Sequence, residues 1–287
     1  TLVGKTNATL NFSSISLNDA GRYEAVLSTP LGSWSASALS ALEVGNAQLS
    51  SVSYDSGANS YTHPVEVVLA VADVTVVPFG SAFYIDPVNG NDTFAGTSTN
   101  QPWKTLNRVN STTFQPGDVI NFKAGGTWLG TLRPLGSGTS ANPILIDAYG
   151  TGAKPVIDGN GVVESGTNYG GAIHLHNQSY WEIQNLAVRN DATTDGLRRG
   201  IHVTASNYGL MQHIHIRNCT IQNIRGRVST SDADIQSKRT GGIIVETLDD
   251  ASVPTRFHDI LIESNVVTTV RNQGIVAAGN RINMSDY

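Results

Sequence analysis

Eight side chains in the second half of the chain have the types that proton transfer and anion binding require: His174, His176, Arg198, Arg199, His202, Lys238, Arg239 and Glu246. Imidazoles and carboxylates exchange protons, and guanidinium and ammonium groups neutralise negative charge. Two of the eight, His174 and His202, sit in a phrase that recurs along the chain: Ala172-Ile-His-Leu175, Gly200-Ile-His-Val203, Gly242-Ile-Ile-Val245 and Gly274-Ile-Val-Ala277. Successive side chains of a strand point to opposite faces. With Ile173, Ile201, Ile243 and Ile275 directed inward, the outward positions are His174, His202, Ile244 and Val276, and two residues further on His176, Thr204, Glu246 and Ala278. Stacked strands lie about 4.8 Å apart, so His174, His176, His202 and Glu246 are expected to form one outward polar patch. Three imidazoles could also hold a metal ion, but solvated imidazoles on an outward strand are the commoner case, and no residue is assigned as a metal ligand.

A second phrase alternates with the first. It reads Trp181-Glu-Ile-Gln-Asn-Leu-Ala-Val188, then His215-Ile-Arg-Asn-Cys-Thr-Ile221, then Leu261-Ile-Glu-Ser-Asn-Val-Val267. In each copy an apolar residue (Ile183, Ile216, Ile262) precedes a second (Val188, Ile221, Val267) by five positions, with an Asn at 185, 218 or 265 between them. Repetition at such periods marks a solenoid, in which each unit buries its apolar face only against its neighbours. The outward column of this phrase is Gln184, Arg217 and Glu263, flanked by Glu182, His215 and Leu261, and Arg217 is expected to pair with Glu263. The Asn residues at the bends are expected to stack in ladders.

The spacing between inward Ile residues is uneven, 28, 42 and 32 residues. The excess falls in 226–241, with Asp232, Asp234, Lys238 and Arg239, and in 249–256. Such insertions often wall a binding groove.

Composition narrows the field. Charged residues make up only 14% of the 287, the formal net charge is −5, and five of the 18 basic residues are Lys. No basic tract points to nucleic acid, and no apolar run approaches the roughly 20 residues of a membrane span. The single Cys219 excludes an internal disulfide framework and reads as a small buried thiol. The chain starts at Thr1 and stops about one strand after the last repeat, and reads as an internal piece of a longer protein.

The most specific string is Phe83-Tyr-Ile-Asp-Pro-Val-Asn-Gly-Asn-Asp92, followed by Gln101-Pro-Trp-Lys-Thr-Leu106, Gln115-Pro-Gly-Asp-Val-Ile-Asn-Phe122 and Lys154-Pro-Val-Ile-Asp-Gly159. It resembles the start of pectate-lyase-like right-handed parallel β-helix proteins of the secreted bacterial carbohydrate-active type. With the repeats, the resemblance covers about 200 residues. The fold class expected is all-β: the first coils of a right-handed parallel β-helix over 79–287, capped by about 82–125, where Trp103, Leu106 and Val109 have helical spacing for a lid. Asp86, Asn89 and Asp92 have the oxygen ligands of a Ca²⁺ site, which makes Ca²⁺ the one cofactor to weigh against a plain turn. Residues 1–78 resemble an immunoglobulin-like sandwich fragment through Asp19-x-Gly21-x-Tyr23, similar to a tyrosine corner, with Ala25 where antibody-type domains have Cys.

What the resemblance implies is a secreted or cell-surface protein, monomeric, acting on a polysaccharide, as a glycoside hydrolase with a carboxyl pair or as a lyase with a cationic base and Ca²⁺ or a cation cluster. Catalysis is assigned to Lys238, Arg239, Glu246 and His202, and substrate contact to His174, His176, Arg198 and Arg199. Catalytic carboxylates in similar proteins tend to lie on later rungs, past Tyr287. A non-catalytic adhesin or surface structural protein is the alternative, and a phage-tail-type depolymerase is a third.

Overall fold

The computed structural model describes residues 80–165, 168–231, 233–234, 236–248 and 252–279, with short strand segments between residues 21 and 61. The chain divides into two compact units, Thr1–Phe79 and Gly80–Tyr287. In the first, Gly21–Tyr23 pairs with Ser40–Leu42, Val26–Thr29 with Gly32–Ser35, and Tyr54–Asp55 with Ser60–Tyr61, all antiparallel. Asp19 and the Tyr23 side chain of the supposed tyrosine corner, and the strands expected at 10–17, 65–71 and 74–77, lie outside the described residues.

The second unit is a parallel β-helix of three sheets. Sheet one contains Ala82–Ile85, Val119–Lys123, Ile144–Tyr149, Trp181–Gln184, Leu210–Arg217 and Arg256–Glu263. Sheet two contains Thr127–Leu129, Val156–Asp158, Ala187–Asn190, Thr220–Arg225 and Val266–Arg271. Sheet three contains Gly171–His176, Arg199–Ala205, Gly241–Thr247 and Gln273–Ala278. The chain visits them in rotation, and strands within each are parallel and in register: Ile173, Ile201, Ile243 and Ile275 form one column, and Ile183, Ile216 and Ile262 another. Ile173, Ile183, Val188, Ile201, Ile216, Ile221 and Ile243 are fully buried, as alternation requires. Each such aliphatic side chain contributes roughly 1.5–3 kcal/mol on burial.

The corner between sheets one and two is a two-residue turn whose first residue is left-handed: Asn185 (φ 60°), Asn218 (φ 46°) and Ser264 (φ 55°). Asn tolerates this conformation better than other side chains. The expected ladder forms, since Asn218 Nδ2 donates to Asn185 Oδ1 (2.7 Å) and Asn185 Nδ2 to Asp147 Oδ1 (2.6 Å). The one-place drift in the third copy has a reason. Ser264 takes the left-handed position, and Asn265 turns back to accept from Cys219 N (2.8 Å) and donate to Ile216 O (2.8 Å). Cys219 itself is fully buried, and burial pushes its thiol up to about 11.

The first coil is closed by a helix of five residues, Leu106–Asn110, with Thr105 as its N-cap. Leu106 and Val109 are buried beneath it. Trp103 is not on the helix, contrary to the spacing argument. It forms a β-bridge with Ile85 and stacks on Phe83 at 4.8 Å, because Asp92 accepts from the Lys104 and Thr105 amides and so delays the helix start.

The glycines of the Gly-Ile phrase mark a tight corner between sheets two and three. A Cβ on Gly242 would lie 2.5 Å from Gly274 O and 2.9 Å from Val267 Cγ1, whereas one on Gly274 meets only Val267 Cγ1, at 3.8 Å. Gly242→Ala is therefore expected to destabilise the chain by about 1–3 kcal/mol through overpacking, and Gly274→Ala to stay within about 0.5 kcal/mol. Chemical denaturation of the two variants measures the difference.

Candidate functional site

The outward face of sheet three has the register that alternation predicts. His174 lies beside His202 and then Ile244, while His176 lies beside Thr204 and then Glu246. Hydrogen bonds join the rungs, directly between His176 and Thr204 and diagonally from His174 to Thr204 and from His202 to Glu246. The Thr204 hydroxyl is 2.9 Å from both His174 Nε2 and His176 Nδ1, and His202 Nε2 is 2.7 Å from Glu246 Oε1. Tyr169 covers the group, its ring 4.7 Å from that of His174 and stacked 5.5 Å from that of His176.

Cations converge on the same carboxyl. Arg199 reaches Glu164 Oε2 (2.6 Å) and Tyr169 O (2.9 Å) through Nη1, and its Nη2 lies 3.9 Å from Glu246 Oε1. Arg239, on the short 3₁₀ turn Ser237–Arg239, places Nε 3.2 Å from Glu246 Oε2, close enough for ionic attraction but without hydrogen-bond alignment. Burial raises the Glu246 carboxyl pKa against the pull of Arg199 and Arg239, and burial followed by Arg199 pushes His202 well below the imidazole range. The partners agree with this sense. Both His202 nitrogens face oxygen, Nε2 towards Glu246 Oε1 and Nδ1 towards Tyr169 O at 3.0 Å. A neutral imidazole has a single N–H, so both contacts are satisfied when Nδ1–H donates to Tyr169 O and a protonated Glu246 donates to Nε2.

The expectation of an outward, solvent-facing patch needs correction. Arg199, His202 and Glu246 are each 1% exposed and His174 2%. Glu164 and Tyr169, on the connection into Gly171–His176, and Arg239, on the connection into Gly241–Thr247, lie against this face. Arg198, assigned to substrate contact, instead donates to Gly161 O (2.9 Å) and, within its own connection, to Thr194 O (2.7 Å). Asn190, fully buried, donates to Val162 O, Gly170 O and Arg199 O and so ties the first connection to the Arg199–Ala205 strand. His176 is half-buried, Arg239 partly exposed and Lys238 exposed on the 3₁₀ turn. Asp234 pairs with Arg227 Nη2 at 2.6 Å, and Asp232 lies outside the described residues. The fold thus gathers His174, His176, Arg199, His202, Arg239 and Glu246 into one network, as a sealed polar layer rather than a groove.

The loop weighed for Ca²⁺ has its oxygens engaged by protein donors. Asp86 accepts from the Val88 and Asn89 amides and from Lys123 Nζ (2.7 Å), and Asp92 from the Lys104 and Thr105 amides and the Thr105 hydroxyl. Burial alone would raise Asp86, yet the Lys123 ammonium and the amides hold it well below the usual carboxylate range. These residues form a turn and do not fit a calcium ion. A shallow depression lined by Leu129–Thr131 and Gly159–Val163 contains no titratable side chain.

A second constellation escaped the sequence reading. On the outer face of sheet one, Glu182, His213 and His215 bring ligand atoms within 4.8 Å of one another, with Asp259 on the next rung. Arg217 pairs with Glu263 as expected, at 3.1 Å. His213 breaks the alternation because it is left-handed (φ 56°), and so do Tyr180 before it and Asp259 after it (φ 61° and 57°), in the same stacked position. A readable signal existed: Gln212-His-Ile214 and His258-Asp-Ile260 share one extra residue before an inward Ile.

No protein-family model matches the chain. Over 138 residues it is 32% identical to a lacto-N-biosidase of Bifidobacterium longum, covering 41% of this chain and 9% of that protein. The GH136 lacto-N-biosidase of Eubacterium ramulus superposes with a TM-score of 0.59 at 24% identity, over 69% of this chain and 36% of that one. Its selenomethionine derivative gives 0.56 at 25%, over 69% and 34%. The chain thus spans about a third of the length of the solved proteins it matches, and far less of the Bifidobacterium enzyme.

The sealed layer makes stability depend on pH. Burial, then the neighbouring His202, pushes the His174 pKa down to about 2, so it is neutral when folded and gains a proton on unfolding below about 6.5. Its contribution is present above that pH and is lost as pH falls, by about 1.4 kcal/mol per unit. Urea midpoints at pH 7 and pH 5 are expected to differ less in His174→Gln than in the unmodified chain.

Proposed function

We propose that this chain forms the first coils of a glycoside hydrolase that releases a lacto-N-biose-type disaccharide from glycans. The observation that carries this reading is the likeness to lacto-N-biosidases, at 32% identity over 138 residues in one case and through the whole arrangement of coils in another. The chemistry of the sealed layer agrees with it. A lyase acting on uronates needs cations free to face a carboxylate substrate, whereas Arg199 and Arg239 are turned onto Glu246, and Arg199 onto Glu164 as well. A hydrolase needs two carboxyl groups that reach the glycosidic oxygen and the anomeric carbon. Glu246, at 1% exposure, is a bracing group in this reading and not one of the reacting pair. A glycan substrate goes with a secreted or surface-displayed protein.

The parent protein containing this chain, incubated with a chromogenic lacto-N-bioside, is expected to release the disaccharide and new reducing ends. Ultraviolet-absorbing unsaturated products from uronate polymers would overturn the reading in favour of a lyase, and glycan binding without turnover would favour an adhesin. Glu246→Gln is expected to keep kcat within about threefold while lowering Tm. A loss of the 10²–10⁴-fold size that removal of a general acid or base brings, at unchanged Tm, would return Glu246 to the reacting pair.

A further inference from the structure

The constellation on sheet one has the organisation of a metal centre. His213 Nε2 lies 3.0 Å from Glu182 Oε1, and His215 Nδ1 lies 3.8 Å from the same oxygen. Ligands about 2.0–2.2 Å from a tetrahedral zinc ion are about 3.4 Å apart, and these two separations bracket that spacing. The opposite ring nitrogens are both engaged by one carboxylate: His213 Nδ1 is 2.7 Å from Asp259 Oδ2, and His215 Nε2 is 2.9 Å from Asp259 Oδ1. That is the carboxylate–histidine arrangement which fixes the tautomer of metal-binding imidazoles. With N–H groups pointed at Asp259, the lone pairs of His213 Nε2 and His215 Nδ1 both turn towards Glu182.

The backbone is shaped for the purpose. Alternation places residues 213 and 215 on the same face, and the left-handed residue 213 inserts one extra position between the inward Met211 and Ile214. The left-handed bulge at His213, stacked on that at Asp259, brings the two imidazoles to 3.8 Å between centroids, and Tyr180 stacks on His213 at 5.9 Å. Non-glycine residues in this conformation cost free energy and persist where surrounding structure holds them. A cation already stands at the spot. Arg217 Nη2 is 2.6 Å from His215 Nδ1 and its Nη1 is 3.1 Å from Glu182 Oε2, while its Nε faces the exposed Glu263. Two carboxylates, Glu182 and Glu263, pair with this one guanidinium and a third, Asp259, holds both imidazoles, so two negative charges remain for a dication once Arg217 swings to Glu263.

We propose that Glu182, His213 and His215 form a binding site for a divalent first-row transition ion of the zinc class, with Asp259 orienting both imidazoles and Arg217 as a displaceable gate. Two imidazoles and one carboxylate select such ions over calcium or magnesium, and three protein ligands leave a position open to water or an exogenous ligand. This site lies on a different sheet from the Glu246 layer and does not depend on the glycosidase reading.

Titration of the metal-free chain with Zn²⁺ in a calorimeter, and with Co²⁺ followed by its visible absorption, tests it. One equivalent is expected to bind, with the visible bands of nitrogen- and oxygen-ligated Co²⁺. His213→Asn keeps a residue that tolerates the left-handed backbone, and with His215→Gln it is expected to abolish binding while the circular dichroism stays unchanged. Asp259→Asn should weaken binding 10- to 100-fold, and Arg217→Gln should preserve or tighten it. Equal binding by the double variant, no binding by the folded unmodified chain, or loss of binding in Arg217→Gln would each overturn the proposal.

Discussion

Everything in the second unit depends on parallel strands stacking in register at the hydrogen-bonding distance. Once Ile201 sits between Ile173 and Ile243, every other residue of the three strands has its neighbours assigned. Columns follow: isoleucines inward, Asn185 on Asp147 and Asn218 on Asn185 at the corner, and His202 diagonal to Glu246 on the outside. The same constraint explains the glycines. Where sheets two and three meet, the coil is narrow enough for Ile221 and Val267 to fill the space a Cβ on Gly200 or Gly242 would need.

Stacking also sets the fate of polar groups. A carboxylate and three imidazoles on successive rungs would ordinarily face water. Here the connections from sheet two to sheet three lie over them, and Arg199, Arg198 and Asn190 hold those connections down through backbone carbonyls. Burying such groups without partners is costly. The network answers that cost by pairing His202 with Glu246 and by placing the Thr204 hydroxyl between two imidazoles. The outer face of sheet one is the opposite case: its charges remain near solvent and converge because three rungs repeat the same left-handed bulge.

These two surfaces divide the work of the molecule. The sealed layer holds the described parts of the insertions against sheet three. The sheet-one cluster is independent of that layer, built on strands that would keep their register if the insertions changed.

Sequence alone determined the coil: inward and outward positions, the order of rungs, the asparagine corner, and the Arg217–Glu263 pair were all legible because a period-two strand in a stacked repeat leaves one arrangement of side chains. Even the membership of the polar cluster, His174, His176, His202 and Glu246, followed from that rule. Only the tertiary structure decided whether those groups meet solvent, since burial depends on where connections of 12 to 15 residues fold, and nothing periodic governs them. It alone also showed His213 and His215 closing on Glu182 and Asp259, because those contacts across rungs depend on left-handed residues at 213 and 259 that no period-two pattern contains.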